Sequence, residues 1–320
     1  LGDNFYFQGY DLSGDINSLG KVGGGPALLE VPGIDRSAME RLTALFSGEI
    51  SLVAYFNNAA AQEHAAFSQL LTTDIVGSYF RGTTLGNPAF GLYGRQINYD
   101  PNRAAGGALT EAVQLLSDAH AGMWGRMLTA GKDTDSASTN GTGVDHGAAQ
   151  VPVVNISSVT VANPGQINTS TAHGLQTGDS VTIAGTTTTP NINSDYPVTV
   201  VNATRFTIPV NVTSGQAGAA GTVQQTSTDF GLSLFYHLFA LTGTSIALKV
   251  QHSADNGVAD AYADITGATT GALSSAPAAG IIETATGVIV KRWTRRVSTG
   301  VALTSATFAL HATRHHLSTI

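Results

Sequence analysis

Apolar and polar residues alternate in short runs along most of this chain, and the runs end at Gly, Asn or Asp. A period of two interrupted by turn residues predicts short antiparallel strands joined by tight turns. The pattern is clearest from Thr228 to His316. Phe230-Gly-Leu-Ser-Leu-Phe-Tyr-His-Leu-Phe-Ala-Leu-Thr-Gly243 leads into Ser245-Ile-Ala-Leu-Lys-Val-Gln-His-Ser-Ala-Asp-Asn-Gly257. After a Gly/Ala/Thr-rich middle come Gly287-Val-Ile-Val-Lys-Arg-Trp-Thr-Arg-Arg-Val297 and Ser305-Ala-Thr-Phe-Ala-Leu-His-Ala-Thr-Arg314. Around Lys249, the side chains of Ile246, Leu248 and Val250 are expected on one face, and Ala247, Lys249 and Gln251 on the other. Asp255-Asn-Gly supplies the positive-φ residues of a hairpin. This region reads as a β-sandwich or barrel sheet.

Upstream the same reading gives fewer, more separated elements. Residues 1–30 carry aromatic anchors but no sustained period, and are expected to form an N-terminal arm lying on another surface. A short helix is expected over 34–43, with Asp35 or Ser37 as its N-cap. Residues 49–56 form a strand, 60–71 a helix with Phe67, Leu70 and Leu71 on its buried stripe, and 74–81 and 90–99 two further strands. Residues 108–116 have helical propensity, but the alternation of Leu109, Glu111 and Val113 favours a strand. From 131 to 150 periodicity disappears, which predicts loop and then linker. Val153 to Gln225 is a different kind of segment, almost uncharged and rich in Thr, Val and Asn, with strand-like runs at 153–156, 180–184, 197–201 and 205–208. It reads as a small all-β domain, residues 151–227, inserted into a loop of a core made of 1–150 and 228–320 and projecting outward.

Composition narrows the class. At 320 residues the chain has material for two domains. Charged residues are 12% of the total, half of the roughly 25% usual in globular proteins, so much of the surface is expected to be covered by neighbouring subunits. No apolar run reaches the ~18 residues of a membrane span, and no secretory signal is expected at the start. The absence of Cys excludes disulfides and thiolate chemistry. The net charge of −7 is uneven: residues 1–150 hold fifteen acids and eight bases, whereas four of the six bases in 228–320 lie in Lys291-Arg-Trp-Thr-Arg-Arg296. Such halves can associate by charge complementarity, and an acidic protein is a poor general binder of nucleic acid.

Several stretches carry a family resemblance in their order along the chain. Asp11-Leu-Ser-Gly-Asp-Ile-Asn-Ser-Leu-Gly, Pro32-Gly-Ile-Asp-Arg-Ser-Ala-Met-Glu-Arg, Arg81-Gly-Thr-Thr-Leu-Gly, Gln96-Ile-Asn-Tyr-Asp-Pro-Asn-Arg103 and Thr129-Ala-Gly-Lys-Asp-Thr-Asp-Ser-Ala-Ser-Thr-Asn-Gly141 resemble the major tail tube proteins of long-tailed (siphovirus) bacteriophages, particularly of actinobacteria. The resemblance covers about residues 3–146 and 228–314. His173-Gly-Leu-x-Thr-Gly-Asp-x-Val-x-Ile resembles an Ig-like β module appended to phage structural proteins. The resemblance implies a mainly-β, tail-tube-type barrel or sandwich with one or two short helices. It also implies a homohexameric ring stacked into a tube in the virion, assembled in the host cytoplasm, through which genomic DNA passes without specific binding. Implied partners are further copies of the chain, a tape measure protein, and tail terminator and tip proteins. An acidic bore lined by carboxylates of residues 1–150 would let DNA slide.

Motifs for other chemistry are thin. Lys291-Arg-Trp-Thr-Arg-Arg296 would alternate faces on a strand, favouring pairing with nearby acids over DNA contact. His311, His315 and His316 are expected to be solvated or interfacial rather than metal ligands. Asp133-x-Asp135 lacks the rest of a calcium loop, and Gly23-Gly-Gly-Pro lacks the Lys of a phosphate loop. No catalytic, cofactor-binding or metal residue is assigned and no enzyme is expected. The alternatives to a tube subunit are a capsid decoration or host-surface-binding tail protein and, with least support, a hydrolase.

Overall fold

The computed structural model describes residues 2–30, 41–70, 72–103, 107–146, 153–175, 177, 179–218, 221–228, 230–253, 256–257 and 261–315. The first part of the chain forms β1 (Asn4–Phe7), β2 (Tyr10–Asp11), β3 (Ile16–Glu30), β4 (Arg41–Tyr55), α1 (Glu63–Phe67), β5 (Ile75–Phe80), β6 (Pro88–Arg103), β7 (Leu109–Ser117), β8 (Met123–Met127), β9 (Asp133–Asp135), β10 (Thr139–Asn140) and β11 (Val144–Asp145). The middle forms β12 (Val154–Thr160), β13 (Gly165–Thr169), β14 (Asp179–Ala184), β15 (Asp195–Pro197), β16 (Thr199–Asn202), β17 (Arg205–Ile208), β18 (Gln216–Ala217) and β19 (Thr222–Thr228). The last part forms β20 (Leu232–Thr242), β21 (Ser245–Ser253), β22 (Ala263–Leu273), β23 (Ala278–Glu283), β24 (Trp293–Val301) and β25 (Ser305–Arg314). The fold is mainly β, as expected.

Three sheets organise these strands. The largest runs β2-β1-β5-β6-β8-β25-β20-β23, and a branch leaves β6 as β7, β4 and β3. A second sheet, β10-β24-β21-β22 with β11 also on β24, packs over β20 and β25. Leu232, Leu234, Leu238, Phe308 and Leu310 from the first sheet meet Ile246, Leu248 and Val250 from the second. Alternation therefore resolves as the sequence predicts on β21, where those three residues are fully buried. Strands β20 and β25 are covered on both faces, which is why 230–241 is almost continuously apolar. Asn256 and Gly257 adopt φ of 63° and 81°, the left-handed values anticipated for that turn.

The third sheet runs β15-β14-β19-β12-β13-β17-β16, with β18 on β12. It has its own core, centred on Ile156, Ile167, Val181, Phe206 and Val223. Its first and last strands are hydrogen-bonded neighbours, with Val154 opposite Val223, so the segment enters and leaves at one place.

Several local expectations need correction. The segment read as an arm contributes Phe5, Tyr6, Phe7 and Leu12 to the core, and from Ile16 on it is the long strand β3. Glycines at 20 and 23–25 hid that strand, because a residue without a side chain shows no period. The helix expected over 34–43 falls largely outside the described residues, and Arg41, Leu42 and Thr43 are strand. The second helix spans only Glu63–Phe67; Ala61 and Leu70 have φ of 63° and 42°, and Leu70 is exposed rather than buried. Leu71 lies outside the described residues. Within 131–150, the expected loop contains β9, β10 and β11, held against β24 and β25 by pairing partners more than 140 residues away.

Candidate assembly surface

Strands β3, β4, β7 and β6 form two long antiparallel hairpins lying side by side. Their inner ends belong to the core: Ile50 and Leu52 from β4 and Val113 and Leu115 from β7 pack with Phe5, Phe7, Phe67 and Leu92. Farther out, apolar side chains emerge into solvent. Toward the tip of the β3–β4 hairpin, Leu45 and Phe46 are 87% and 56% exposed; Ile97, at a bulge in β6 level with Leu115 and two strands away, is also exposed. Neighbouring exposed apolar residues such as Leu45 and Phe46 mark a contact surface. The outer edge of β3 pairs with no other strand among the described residues. Among the described side chains of that edge, Lys21 and Pro26 are the ones that would discourage another strand from adding there.

The sheet that carries these hairpins is fastened by a buried polar chain. The Gly9 backbone N–H donates to His237 Nδ1 at 3.3 Å, so His237 carries its proton on Nε2 and donates it to Ser78 Oγ at 2.9 Å. The Ser78 hydroxyl then donates to His311 Nε2 at 3.2 Å. This links the β1–β2 turn, β20, β5 and β25. The His311 ring stacks on Phe235 with centroids 4.6 Å apart, and a side chain at Gly91 would strike it, since a Cβ there would lie 2.5 Å from His311 Cε1. Burial pushes both imidazoles down to about 3, with His237 adding to the effect on His311. The expectation of solvated or interfacial histidines is therefore wrong for His311 and for His315, which is also buried and hydrogen-bonded to Ser233 Oγ at 2.8 Å. A His in an apolar run looks the same in sequence whether its face is wet or dry. His316 lies outside the described residues.

The basic stretch is held within the chain. Arg296 donates from Nε to Asp133 Oδ2 at 2.7 Å and from Nη1 and Nη2 to Asp135 at 2.7 and 3.2 Å, while Ser298 Oγ donates to Asp135 Oδ2 at 2.6 Å. Arg292 makes a bidentate pair with Asp145 at 2.8 and 2.7 Å. Arg295 reaches Gln251 Oε1 and lies over the Tyr262 ring, 4.2 Å from its centroid. Lys291 lies 4.0 Å from Asp195 of β15.

These pairs change the reading of the acidic half. Asp11 pairs with Lys132, Asp74 and Asp118 with Arg95, and Glu49 with Lys21. Among the described side chains of residues 1–150, the exposed acids are Asp3, Asp100 and Asp118, and only Asp100 stands on the hairpin sheet. The charge complementarity expected between molecules is largely satisfied inside one.

Among the described residues no three His, Asp or Glu side chains are grouped to hold a metal ion, and no helix is long and apolar enough to cross a membrane. No family model and no curated protein matches the chain. Among solved structures it is similar to the SPP1 Dit protein, described as a paradigm of the hub adsorption apparatus in phages infecting Gram-positive bacteria. That likeness has 10% identity and a TM-score of 0.26, covering 98% of this chain and 100% of that one. It is also similar to the phage P2 baseplate in its activated conformation, with calcium (10% identity, TM-score 0.25, 98% and 99% covered) and with strontium (9%, 0.24, 98% and 98%). Likenesses this slight decide neither fold nor function.

Proposed function

We propose that this chain is a structural protein of a long-tailed phage virion, a tail tube subunit that assembles with copies of itself into stacked rings. The observation that carries the reading is the hairpin sheet with its open β3 edge and exposed Leu45, Phe46 and Ile97. The order of tail-tube-like motifs along the sequence supports it. A long free edge invites open-ended aggregation, and head-to-tail joining in a ring removes that liability. In this reading six subunits close a ring, the bore admits DNA without binding it, and a tape measure protein, a terminator and tip proteins are the other partners. Residues 151–227 form an inserted domain on the tube exterior.

Negative-stain microscopy of the purified protein tests this: rings or tubes support it, and discrete monomers at high concentration overturn it. Replacing Leu45 and Phe46 by Ser and Lys should abolish rings while leaving the monomer folded. Deleting 153–225 should leave them intact, because β12 and β19 enter and leave as neighbours. The separate core of that sheet favours one second reading, a decoration or host-surface-binding tail protein. Retained binding to host cells by ring-free protein would select it.

A further inference from the structure

Helix α1 packs where the β3–β4 hairpin leaves the core, against β6 and beside β7, and three carboxylates converge beneath it. Asp15 comes from the β2–β3 turn, Glu63 from the helix and Glu111 from β7, and all three are buried. Asp15 is well served: its Oδ1 accepts from Asn57 Nδ2 at 2.8 Å and its Oδ2 from the Glu63 backbone N–H at 3.1 Å. Glu63 is not. It is wholly enclosed, and neither carboxylate oxygen accepts a hydrogen bond; Glu111 Oε2 is likewise unpartnered. The other titratable groups at the corner are His64 of the helix and Tyr99 of β6, whose hydroxyl lies 2.7 Å from His64 Nδ1 and also engages Glu111. Among the described residues no cation acts on Glu63, and the Asn57 backbone N–H favours its anion without completing a hydrogen bond. An enclosed carboxylate with no donor, beside two others, is stable only as the acid.

We propose that Glu63 holds a proton in the folded protein and that its loss releases α1 from β6, β7 and the start of β3, making the helix a pH-operated latch. The direction follows from linkage. Burial first, then Glu111 and Asp15, push this carboxyl from 4.5 up to about 7. The docked helix thus binds the proton more tightly than the undocked one, and undocking releases it. Docking is complete below pH 4.5, weakens as pH rises to about 7, and is constant above that. The inference goes beyond the assembly reading and does not depend on what the hairpins contact.

The experiment is amide hydrogen exchange of residues 62–68 in the full chain from pH 5 to 8, corrected for intrinsic rates. The Ala66 N–H to Gln62 O and Ser68 N–H to His64 O bonds report on the helix. In the wild type, protection should fall on the order of 100-fold between pH 5 and 7 and then level. Glu63→Gln should stay protected with no pH dependence. Glu111→Gln should make the fall smaller and end it at lower pH, a shift that merely structural damage would not produce. A flat wild-type profile, or a Glu63→Gln profile matching the wild type, overturns the latch. Should Glu63→Gln fail to fold, the Glu63 side-chain carboxyl is followed directly by NMR: titration near pH 7 supports the proposal, and titration below pH 5.5 sinks it.

Discussion

Two buried corners of this protein hold carboxylates, and they differ in what lies within reach of them. At β24, Asp133 and Asp135 receive the Nε, Nη1 and Nη2 donors of Arg296 and the Ser298 hydroxyl. At α1, Glu63 receives nothing and faces Glu111 and Asp15. The first corner binds a distant segment in place, since β9 owes its position to a strand some 160 residues later. The second places like groups together, so its stability depends on the medium. Burial alone does not say whether a charge fastens or loosens a fold; the count of aimed donors does.

The largest break in that comparison is made by converting the matched corner into an unmatched one. Arg296→Met removes every charged donor from Asp133 and Asp135, with the Arg296 and Asp135 side chains only 8% and 6% exposed. It should cost about 3–5 kcal/mol, read as a lowered urea midpoint. Adding Asp135→Asn should recover more than half of that loss. If the double variant is no more stable than the single one, the packing of the Arg296 guanidinium over the Phe308 ring, 5.0 Å from its centroid, matters more than charge.

The histidine chain offers a second contrast, a buried titratable cluster whose hydrogen bonds from Gly9 N–H and through Ser78 require neutral rings. Because His237 and His311 are both held down to about 3, they remain unprotonated in the fold while the unfolded chain takes up protons below pH 6.5. Their contribution is present above pH 6.5 and is lost as pH falls towards 3. Unfolding free energy should drop by roughly 1 kcal/mol per pH unit per histidine in that window, as urea titrations at pH 6, 5 and 4 would show. Glu63 has the opposite sign, so stability should peak at mildly acidic pH. Removing the hydroxyl that joins the two rings, Ser78→Ala, strands the His237 Nε2–H in the interior. This should cost about 1–3 kcal/mol at pH 7.

These corners also mark where the sequence stops being readable. Period-two alternation placed β20, β21 and β25 and oriented Ile246, Leu248 and Val250, because there each side chain's face is decided by its immediate neighbours. It missed β3, whose glycines carry no pattern, and β9 to β11, which are two or three residues long and exist because β24 and β25 hold them. It overextended α1, where Leu70 must turn with positive φ to lead into β5. Contacts that span the chain leave no local signal. Lys291-Arg-Trp-Thr-Arg-Arg296 was legible as a segment that would seek acids, but which acids, and how deeply, was not. The convergence of Asp15, Glu63 and Glu111 had no signature at all, since 48 residues separate each from the next.

The smallest effect sharpens the role of depth. Arg292 and Asp145 form as good a bidentate pair as Arg296 and Asp135, with both nitrogens within 2.8 Å, yet their side chains remain 30% and 32% exposed. Water can replace either partner there, and β11 is also held by its backbone pairing with β24, Val144 opposite Thr294. Arg292→Gln should therefore cost under about 1 kcal/mol, with the loss shrinking further in 1 M salt as the attraction is screened. A cost comparable to that of Arg296→Met would mean that geometry, rather than exclusion of water, sets the strength of these pairs.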